Sequence, residues 1–167
     1  MSLSAGNKLG PYEIVGPLGA GGMGEAYPFI QSTFSAREAS FSPDGKWLAY
    51  CSNESGEYRV CVVPFPGPGG KWQVSLGDGR GPVWRSGGRE IFYLSADNKL
   101  MAVNVEASGG SFAAGVARVL FDSHSYGVFG RYDASADGKR FVVAYEGKRP
   151  SSTLTSVVNW TVDRKER

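Results

Sequence analysis

The sequence predicts an all-β fold, built from about three four-stranded antiparallel blades of a β-propeller that form an incomplete ring. The 24 glycines and 9 prolines among 167 residues suit short strands joined by tight turns. A turn followed by an apolar run recurs three times, with the turn glycines at positions 45, 88 and 138; propeller blades repeat at roughly 40–50 residues. These runs do not alternate with polar residues, which predicts sheets covered on both faces.

The repeated pattern sets the expected blade boundaries. Blade one is predicted from about residue 36 to 76, blade two from about 82 to 121, and blade three from about 131 to 162. The outer strands of the first two blades are expected at residues 72–75 and 116–121. Only three strands can be recognised in blade three, so the predicted set of blades lacks at least one strand.

The segments around the blades have their own predictions. Residues 1–27 are expected to form a short β-hairpin or a disordered arm, and residues 164–167 a charged tail. Residues 28–33 are predicted as an outer strand whose own blade is absent. A partial propeller over residues 28–163 exposes apolar faces and strand edges at its first and last sheets. We therefore expect self-association, in which two copies supply six blades and residues 28–33 of one copy complete the third blade of the other.

Composition excludes several classes of function. A net charge of +2 gives no electrostatic argument for binding nucleic acid or an anionic membrane. No apolar run approaches the ~20 residues of a membrane span, and the first residues lack the pattern of a secretory signal. The expected location is therefore cytoplasmic. Cys51 and Cys61 are too few for a disulfide framework and are predicted to be small buried hydrophobic residues.

A glycine-rich loop precedes the blades and is the candidate cofactor site. Gly19, Gly21, Gly22 and Gly24 fit a G-x-G-x-x-G pattern, in which the backbone comes close to phosphate oxygens and donates its amides to them. A dinucleotide-binding fold would need a helix after the loop. Here Pro28 follows closely and the next segment is predicted as a strand, so that fold is disfavoured.

Two stretches resemble known families. Residues 9–27, LGPYEIVGPLGAGGMGEAY, closely resemble the start of the catalytic domain of bacterial eukaryotic-like serine/threonine protein kinases. Residues 28–162, with FSPDGKWLAY, VVPFPGPGGKW and VVNWT, resemble the TolB-like, WD-repeat-like propeller at the C-terminal end of some of these kinases. The resemblance implies an internally deleted relative, with the start of the kinase joined directly to the propeller. A membrane helix often separates the two parts in such kinases, which would place the relatives' propeller outside the cytoplasm.

The kinase resemblance implies ATP as the one possible cofactor, held by the four glycines. Phosphoryl transfer also needs a lysine on the next strand, an H-R-D-type catalytic loop and a D-F-G aspartate, and the sequence contains none of them. Its one histidine, His124, is followed by Ser125, and Ala26 replaces the valine expected over the adenine ring. We therefore predict no catalytic residues and no enzyme activity, with the glycine loop as a vestigial phosphate-binding loop.

Three further groups of residues are candidate sites. Residues 122–125, DSHS, suggest a hydrolase, but the G-x-S-x-G motif is absent and a polar loop between blades is favoured. Aspartates in the turns more often bond their own backbone than a metal; these are Asp44, Asp97 and Asp137. Tryptophans that repeat with the blades more often form inter-blade core than a recognition surface; these are Trp47, Trp72, Trp84 and Trp160, with Arg85, Arg89 and Arg131 nearby.

Three functional hypotheses follow. The leading one is a non-catalytic propeller fragment that acts as a scaffold or binds a protein or small ligand, since propellers usually bind through the loops at the ends of their blades. The alternative is a nucleotide-binding protein related to serine/threonine kinases. The third is a gene remnant without a function.

Overall fold

The structure is a computed structural model of the chain. It describes residues 33–67, 69–123 and 132–144 with their side chains, and as backbone alone residue 145 and the strands within 8–26 and 153–158. Four short strands come first: β1 (Lys8–Leu9), β2 (Tyr12–Glu13), β3 (Gly19–Gly21) and β4 (Gly24–Ala26). They pair as two antiparallel hairpins, β1 with β2 and β3 with β4, so the part ahead of the blades contains the expected β-hairpin structure.

The first large sheet is a four-stranded antiparallel meander. Its strands, in both sequence and spatial order, are β5 (Ala36–Phe41), β6 (Trp47–Ser52), β7 (Arg59–Pro64) and β8 (Trp72–Gln73). Residues 42–46 form the turn between β5 and β6, where the amide of Gly45 donates to the carbonyl of Ser42 at 2.8 Å. Gly45 has a φ of +68°, a conformation that glycine adopts without a steric penalty.

The second sheet has five strands: β9 (Gly79–Trp84), β10 (Glu90–Ser95), β11 (Lys99–Ser108), β12 (Ser111–Ala114) and β13 (Arg118–Asp122). The order is β9-β10-β11, and the far edge of β11 is divided between two partners. Its first half pairs with β13 and its second half with β12. The outer strand expected at residues 116–121 is therefore β13, whereas β12 was not expected from the sequence.

The third sheet has three strands: β14 (Tyr132–Ala134), β15 (Arg140–Tyr145) and β16 (Thr153–Val158), in that order. All pairings in the three large sheets are antiparallel, and no helix occurs among the described residues. The predicted all-β fold is confirmed, with sheets that do not close into a ring. Of the segment at residues 28–33, only residue 33 lies within the described residues.

The sheets stack face to face, which explains the unbroken apolar runs. All six residues of β6 are buried because both faces of its sheet are covered. Sheets one and two enclose a cluster that includes Trp47, Cys51, Val60, Trp84, Ile91, Tyr93, Val103, Val105 and Phe112. Sheets two and three enclose Phe92, Leu94, Leu100, Ala102 and Phe141. The inner strands β5, β9 and β14 are neighbours, so their edges and turns are brought together.

The tryptophans of the described region and Cys51 lie in or against the core between the first two sheets, and Cys61 lies in a buried cluster on the other face of the first sheet, so all are apolar core residues as the sequence predicts. Trp47 and Trp84 are 5% and 7% exposed, and Trp72 packs against the same cluster. Cys51 and Cys61 are buried and unpaired as thiols. Trp160 and Arg131 lie outside the described residues.

Candidate blade-end site

Two of the inner turns have the same pattern of hydrogen bonds, each within its own turn. Ser42 donates its hydroxyl to Asp44 at 2.6 Å, and the same carboxylate accepts the amide of Lys46 at 3.1 Å. In the third sheet, Ser135 donates to Asp137 at 2.5 Å, and Asp137 accepts the amide of Lys139 at 3.0 Å. The seryl hydrogen bond is the main cause that lowers the pKa of both aspartates. Their predicted role in the turn backbone is confirmed.

The third turn aspartate lies in the turn between β10 and β11. Ser95 donates its hydroxyl to Asp97 at 2.6 Å, and the ammonium of Lys99 lies 2.6 Å from the same carboxylate. The hydrogen bond to Lys99 is the main cause that lowers the pKa of Asp97. Among the described residues, no group of three or more histidines, cysteines, aspartates and glutamates is arranged to hold a metal ion.

The inner turn of the second sheet is built differently and contacts the third sheet. Arg85 and Glu90 occupy the positions that Ser42 and Trp47 have in the first sheet, and their side chains form an ion pair at 3.3 Å. Arg85 also donates to the carbonyl of Asp137 at 2.7 Å. Buried Glu90 is paired a second time, with Arg118. The second turn is thereby fixed to the third.

A groove opens at this end of the blades, between the inner turns of the first two sheets and the end of β11. Its volume is about 650 Å³, and it is lined by residues 42–44, 86–89 and 105–108 with Trp47 and Trp84 at its base. A second groove of about 550 Å³ lies on the other side of the same turn, toward Ala136 and Asp137. The first groove combines tryptophan with charged side chains, whereas the second is lined mainly by charged and polar residues.

A second polar cluster links the inner strands. The Glu38 carboxylate accepts the Gly81 amide at 2.8 Å and the Cys51 thiol at 3.4 Å. Tyr132 donates its hydroxyl to the carbonyl of Gly81 at 2.6 Å, and Trp84 donates its indole N–H to the carbonyl of Ser40 at 3.1 Å. All three sheets are joined here.

The electrostatics of this cluster oppose nucleophilic chemistry. Burial, followed by the charge of Glu38, raises the pKa of Cys51 to about 12, so the thiol stays protonated at neutral pH. Burial is also the first cause that raises the pKa of Tyr132. Glu38 is not predicted from the sequence as a linking residue. Its only signal was a charged residue within a predicted inner strand.

The glycines of the candidate phosphate loop lie at the hairpin of β3 and β4. Gly21 pairs with Gly24, and Gly19 pairs with Ala26, so three of the four glycines are in strands. Gly22 lies outside the described residues. The hairpin and the blade-end groove are separate elements of the chain, and the structure describes no side chain between residues 1 and 32.

Of the DSHS segment, residues 122 and 123 are among the described residues. Ser123 donates its hydroxyl to the carbonyl of Asn98 at 2.6 Å, and its amide donates to the same carbonyl at 3.0 Å. These bonds tie the end of β13 to the turn between β10 and β11. His124 and Ser125 lie outside the described residues. No helix within the described part of the chain is long and apolar enough to cross a membrane.

Comparisons with known proteins identify the fold. No family model matches the chain, and no curated protein matches it. Among solved structures, TolB from Acinetobacter baumannii is 16% identical with a TM-score of 0.58, over 81% of this chain and 32% of TolB. A chain of a nidogen/laminin complex is 15% identical with a TM-score of 0.56, over 80% of this chain and 48% of that one. Oligogalacturonate lyase from Vibrio parahaemolyticus is 19% identical with a TM-score of 0.53, over 70% of this chain and 31% of the lyase.

These similarities show that the fold is that of TolB-like β-propellers, as the second resemblance implied. The chain spans about a third to a half of the length of these neighbours. The relation to protein kinases stays a prediction, since none of these three neighbours is described as a kinase.

Proposed function

We propose that the chain is a non-catalytic β-propeller module that binds a protein or small ligand through its blade-end loops and self-associates through its terminal sheets. The observation that carries the proposal is the apolar surface on the far side of the third sheet. Val142 is 41% exposed, between Phe141 and Val143, which are buried toward the second sheet. Apolar side chains fill the spaces between the sheets, so an uncovered apolar face at the end of the stack favours a further sheet.

On the far side of the first sheet Leu48, Tyr50, Cys61 and Val63 form a buried cluster, and Phe41 beside them is exposed. Phe41 pairs with Leu48 across β5 and β6, on the face that points away from the cluster shared with the second sheet, and it is 53% exposed. Closed propellers have 4–8 blades. Two copies related by a two-fold axis place each first sheet against the third sheet of its partner and supply six blades. Residues 28–33 of each copy would then complete the three-stranded sheet of the other.

The test is the solution mass of the full chain, measured by size-exclusion chromatography with light scattering at micromolar concentration. We expect a dimer of the 17.9 kDa chain. V142K, which places a charge on the proposed interface, should shift the mass toward the monomer. V116K is the matched control, because Val116 is 87% exposed in the loop before β13. A monomeric wild-type chain, or equal masses for the two variants, would contradict this interface.

The hairpin of β3 and β4 supports a second candidate function, nucleotide-phosphate binding. Its register places Gly21 opposite Gly24 with two residues between them, the geometry of a tight glycine-rich hairpin. Backbone amides at such a tip can approach phosphate oxygens closely. This arrangement supplies no lysine, catalytic aspartate or magnesium ligand, so phosphoryl transfer is not expected.

Isothermal titration calorimetry with ATP and magnesium tests this second candidate. Heat that saturates, and that is lost when G21V and G24V block the hairpin tip, would support phosphate binding. The control is V142K, whose substitution lies in the third sheet and should leave the titration unchanged. A flat titration of the wild-type chain would eliminate nucleotide binding and leave the propeller module as the function to pursue.

A further inference from the structure

Strand β11 extends past its neighbour at the groove. It runs from Lys99 to Ser108, but its pairing with β10 ends where Asn104 meets Glu90. The amide of Val105 makes one more bond, to the carbonyl of Arg89 at 2.9 Å. Beyond that point the β10 side of β11 has no partner strand among the described residues, while its other side is paired with β12.

The hydrogen bonds of β11 to its neighbours show which way its N–H and C=O groups point beyond Asn104. The carbonyl of Asn104 accepts the amide of Gly115 at 2.8 Å on the β12 side, whereas the amide of Val105 bonds on the β10 side. In an antiparallel strand successive residues direct their N–H and C=O to alternate sides. Ala107 therefore directs both groups to the same side as Val105, away from β12 and toward the groove.

The hairpin after Ala107 agrees with this assignment. Gly109 and Gly110 have φ values of +58° and +82°, as a two-residue hairpin of type I′ requires. Such a turn is closed by a hydrogen-bonded pair, here Ser108 with Ser111, which leaves Ala107 and Phe112 as the next, non-hydrogen-bonded pair. The backbone of Ala107 thus has no partner within the described part of the chain.

Two tryptophans and one cation line the groove beside this edge. Trp47 and Trp84 contribute the small exposed parts of side chains that are otherwise buried between the sheets. Arg89 lines it as well, since it lies across from Val105 and so shares the face of Val105 and Ala107. The guanidinium of Arg89 forms no ion pair in the described residues, unlike those of Arg85 and Arg118.

We propose that an extended peptide segment of a partner protein adds as a strand to β11 at Ala107, with apolar side chains on the tryptophans and a carboxylate on Arg89. This inference rests on the proposed binding function and narrows it to one edge and one class of ligand. In strand addition the main-chain bonds supply affinity and alternate side chains supply specificity. Asn104 and Glu106 alternate along β11 with Val105 and Ala107, so they belong to the opposite face of the sheet.

The experiment uses the full chain, labelled with ¹⁵N, and the probe peptide acetyl-Val-Thr-Asp-Thr-Val-amide. In an extended peptide the two valines and the aspartate share one face. The amide of Ala107 should shift on titration and exchange its hydrogen more slowly in the complex. A peptide with asparagine for aspartate should bind about two- to fivefold more weakly, the range of an exposed ion pair.

Two variants test the charge contact. R89Q should reduce the affinity for the aspartate peptide to that for the asparagine peptide. K99Q is the control, because it removes a positive charge from the other end of β11, outside the groove, and it should keep the preference for aspartate. Equal effects of R89Q and K99Q would show that net charge, not the Arg89 contact, determines binding.

Two variants of the backbone test the strand addition. A107P removes the amide at an exposed strand position where proline is tolerated and should abolish binding. A peptide N-methylated at its aspartate should bind less well than the parent. An Ala107 amide that is unchanged at millimolar peptide, or undiminished binding of the methylated peptide, would overturn the inference. A chain that dimerises without binding this peptide loses the inference but keeps the self-associating module, so the two failures can be told apart.

Discussion

The carboxylate of Glu38 and the backbone amide of Gly81 form a hydrogen bond of 2.8 Å that joins the first sheet to the second. Glu38 has a φ of +56°, in the left-handed region that costs a non-glycine residue roughly 1–2 kcal/mol. The pairing of β5 with β6 shifts between Arg37 and Ser40, so Glu38 lies in a β-bulge. Bulges redirect side chains, and this one turns the carboxylate toward the neighbouring sheet.

Replacement of Glu38 should therefore weaken the contact between the sheets. In E38A the Gly81 amide and the Cys51 thiol both lose their acceptor, and a buried donor without a partner costs about 1–3 kcal/mol. E38Q keeps a carbonyl acceptor at the same length and should lose less. Urea unfolding followed by tryptophan fluorescence measures both. Equal unfolding midpoints for E38A and the wild type would show that the bond does not contribute.

Gly138 and Gly45 provide a matched pair for the contact between the second and third turns. Their φ values are +65° and +68°, so alanine at either position meets the same backbone strain, about 1 kcal/mol. A Cβ at Gly45 meets nothing within 4 Å, whereas one at Gly138 lies 2.8 Å from Nε and 3.0 Å from Cδ of Arg85. G138A should therefore lower the unfolding free energy more than G45A, because Arg85 must leave the Asp137 carbonyl.

A double-mutant cycle with R85A isolates that contact. In an R85A background the clash is absent, so G138A should cost the same as G45A. If the difference between the two glycine variants survives in R85A, its source is something other than the Arg85 side chain.

Cys51 should be unreactive in the folded chain. Its pKa is raised to about 12, so the thiolate fraction at pH 8 is roughly one part in ten thousand. Burial also raises the pKa of Cys61. Ellman's reagent should label neither thiol in buffer and both in urea. The C51A and C61A variants assign any signal to one cysteine, and rapid native labelling of C61A would contradict the buried, protonated state of Cys51.

The raised pKa of Cys51 should make the stability of the chain depend on pH in the alkaline range. The folded-state pKa of Cys51 is higher than its ordinary value of 9.0, so the unfolded chain loses this proton first. The contribution to stability is complete below pH 9 and decreases as pH rises toward the folded value. Urea midpoints of the wild type should fall toward those of C51A between pH 9 and pH 11. If the urea midpoints of wild type and C51A instead fall in parallel with rising pH, Cys51 has the same pKa in the folded and unfolded chain.

The fold was predictable because its signals are local and repeated. The turn at Ser42–Gly45 recurs at Ser135–Gly138, and each is followed by an apolar strand, so period and turn chemistry agree. β12 was not predictable, since Ser111–Ala114 contains only one buried residue, Phe112. Its pairing is determined by the Gly109-Gly110 turn and by the length of β11, which a count of apolar residues does not detect.

The candidate site was less predictable than the fold because its residues act across blades. Arg85 bonds Asp137 and Glu38 bonds Gly81, pairs separated by about one blade in sequence. Each of these residues resembles an ordinary surface charge when its own strand is considered alone. The open edge at Ala107 has no sequence signature at all, because it arises from the difference in length between β10 and β11.

Asp44, in the turn between β5 and β6, should make the stability of the chain depend on pH in the acid range. The hydroxyl of Ser42 is the first cause that holds the pKa of Asp44 below its ordinary value of 3.8, and the amide of Lys46 is the second. Since the folded-state pKa is lowered, the stabilising contribution is present above pH 3.8 and is lost as pH falls through the folded value.

Carboxyl titration by NMR should show this directly. S42A should move the pKa of Asp44 back toward 3.8, because it removes the principal hydrogen bond. S95A is the matched control: it removes the corresponding hydroxyl from Asp97, in the turn between β10 and β11, and should leave Asp44 unchanged. D44N removes the contribution of Asp44 to the acid dependence of stability, so the difference in urea midpoint between wild type and D44N should narrow below pH 3.8. A pKa of Asp44 that is the same in S42A and wild type would assign the shift to the Lys46 amide instead.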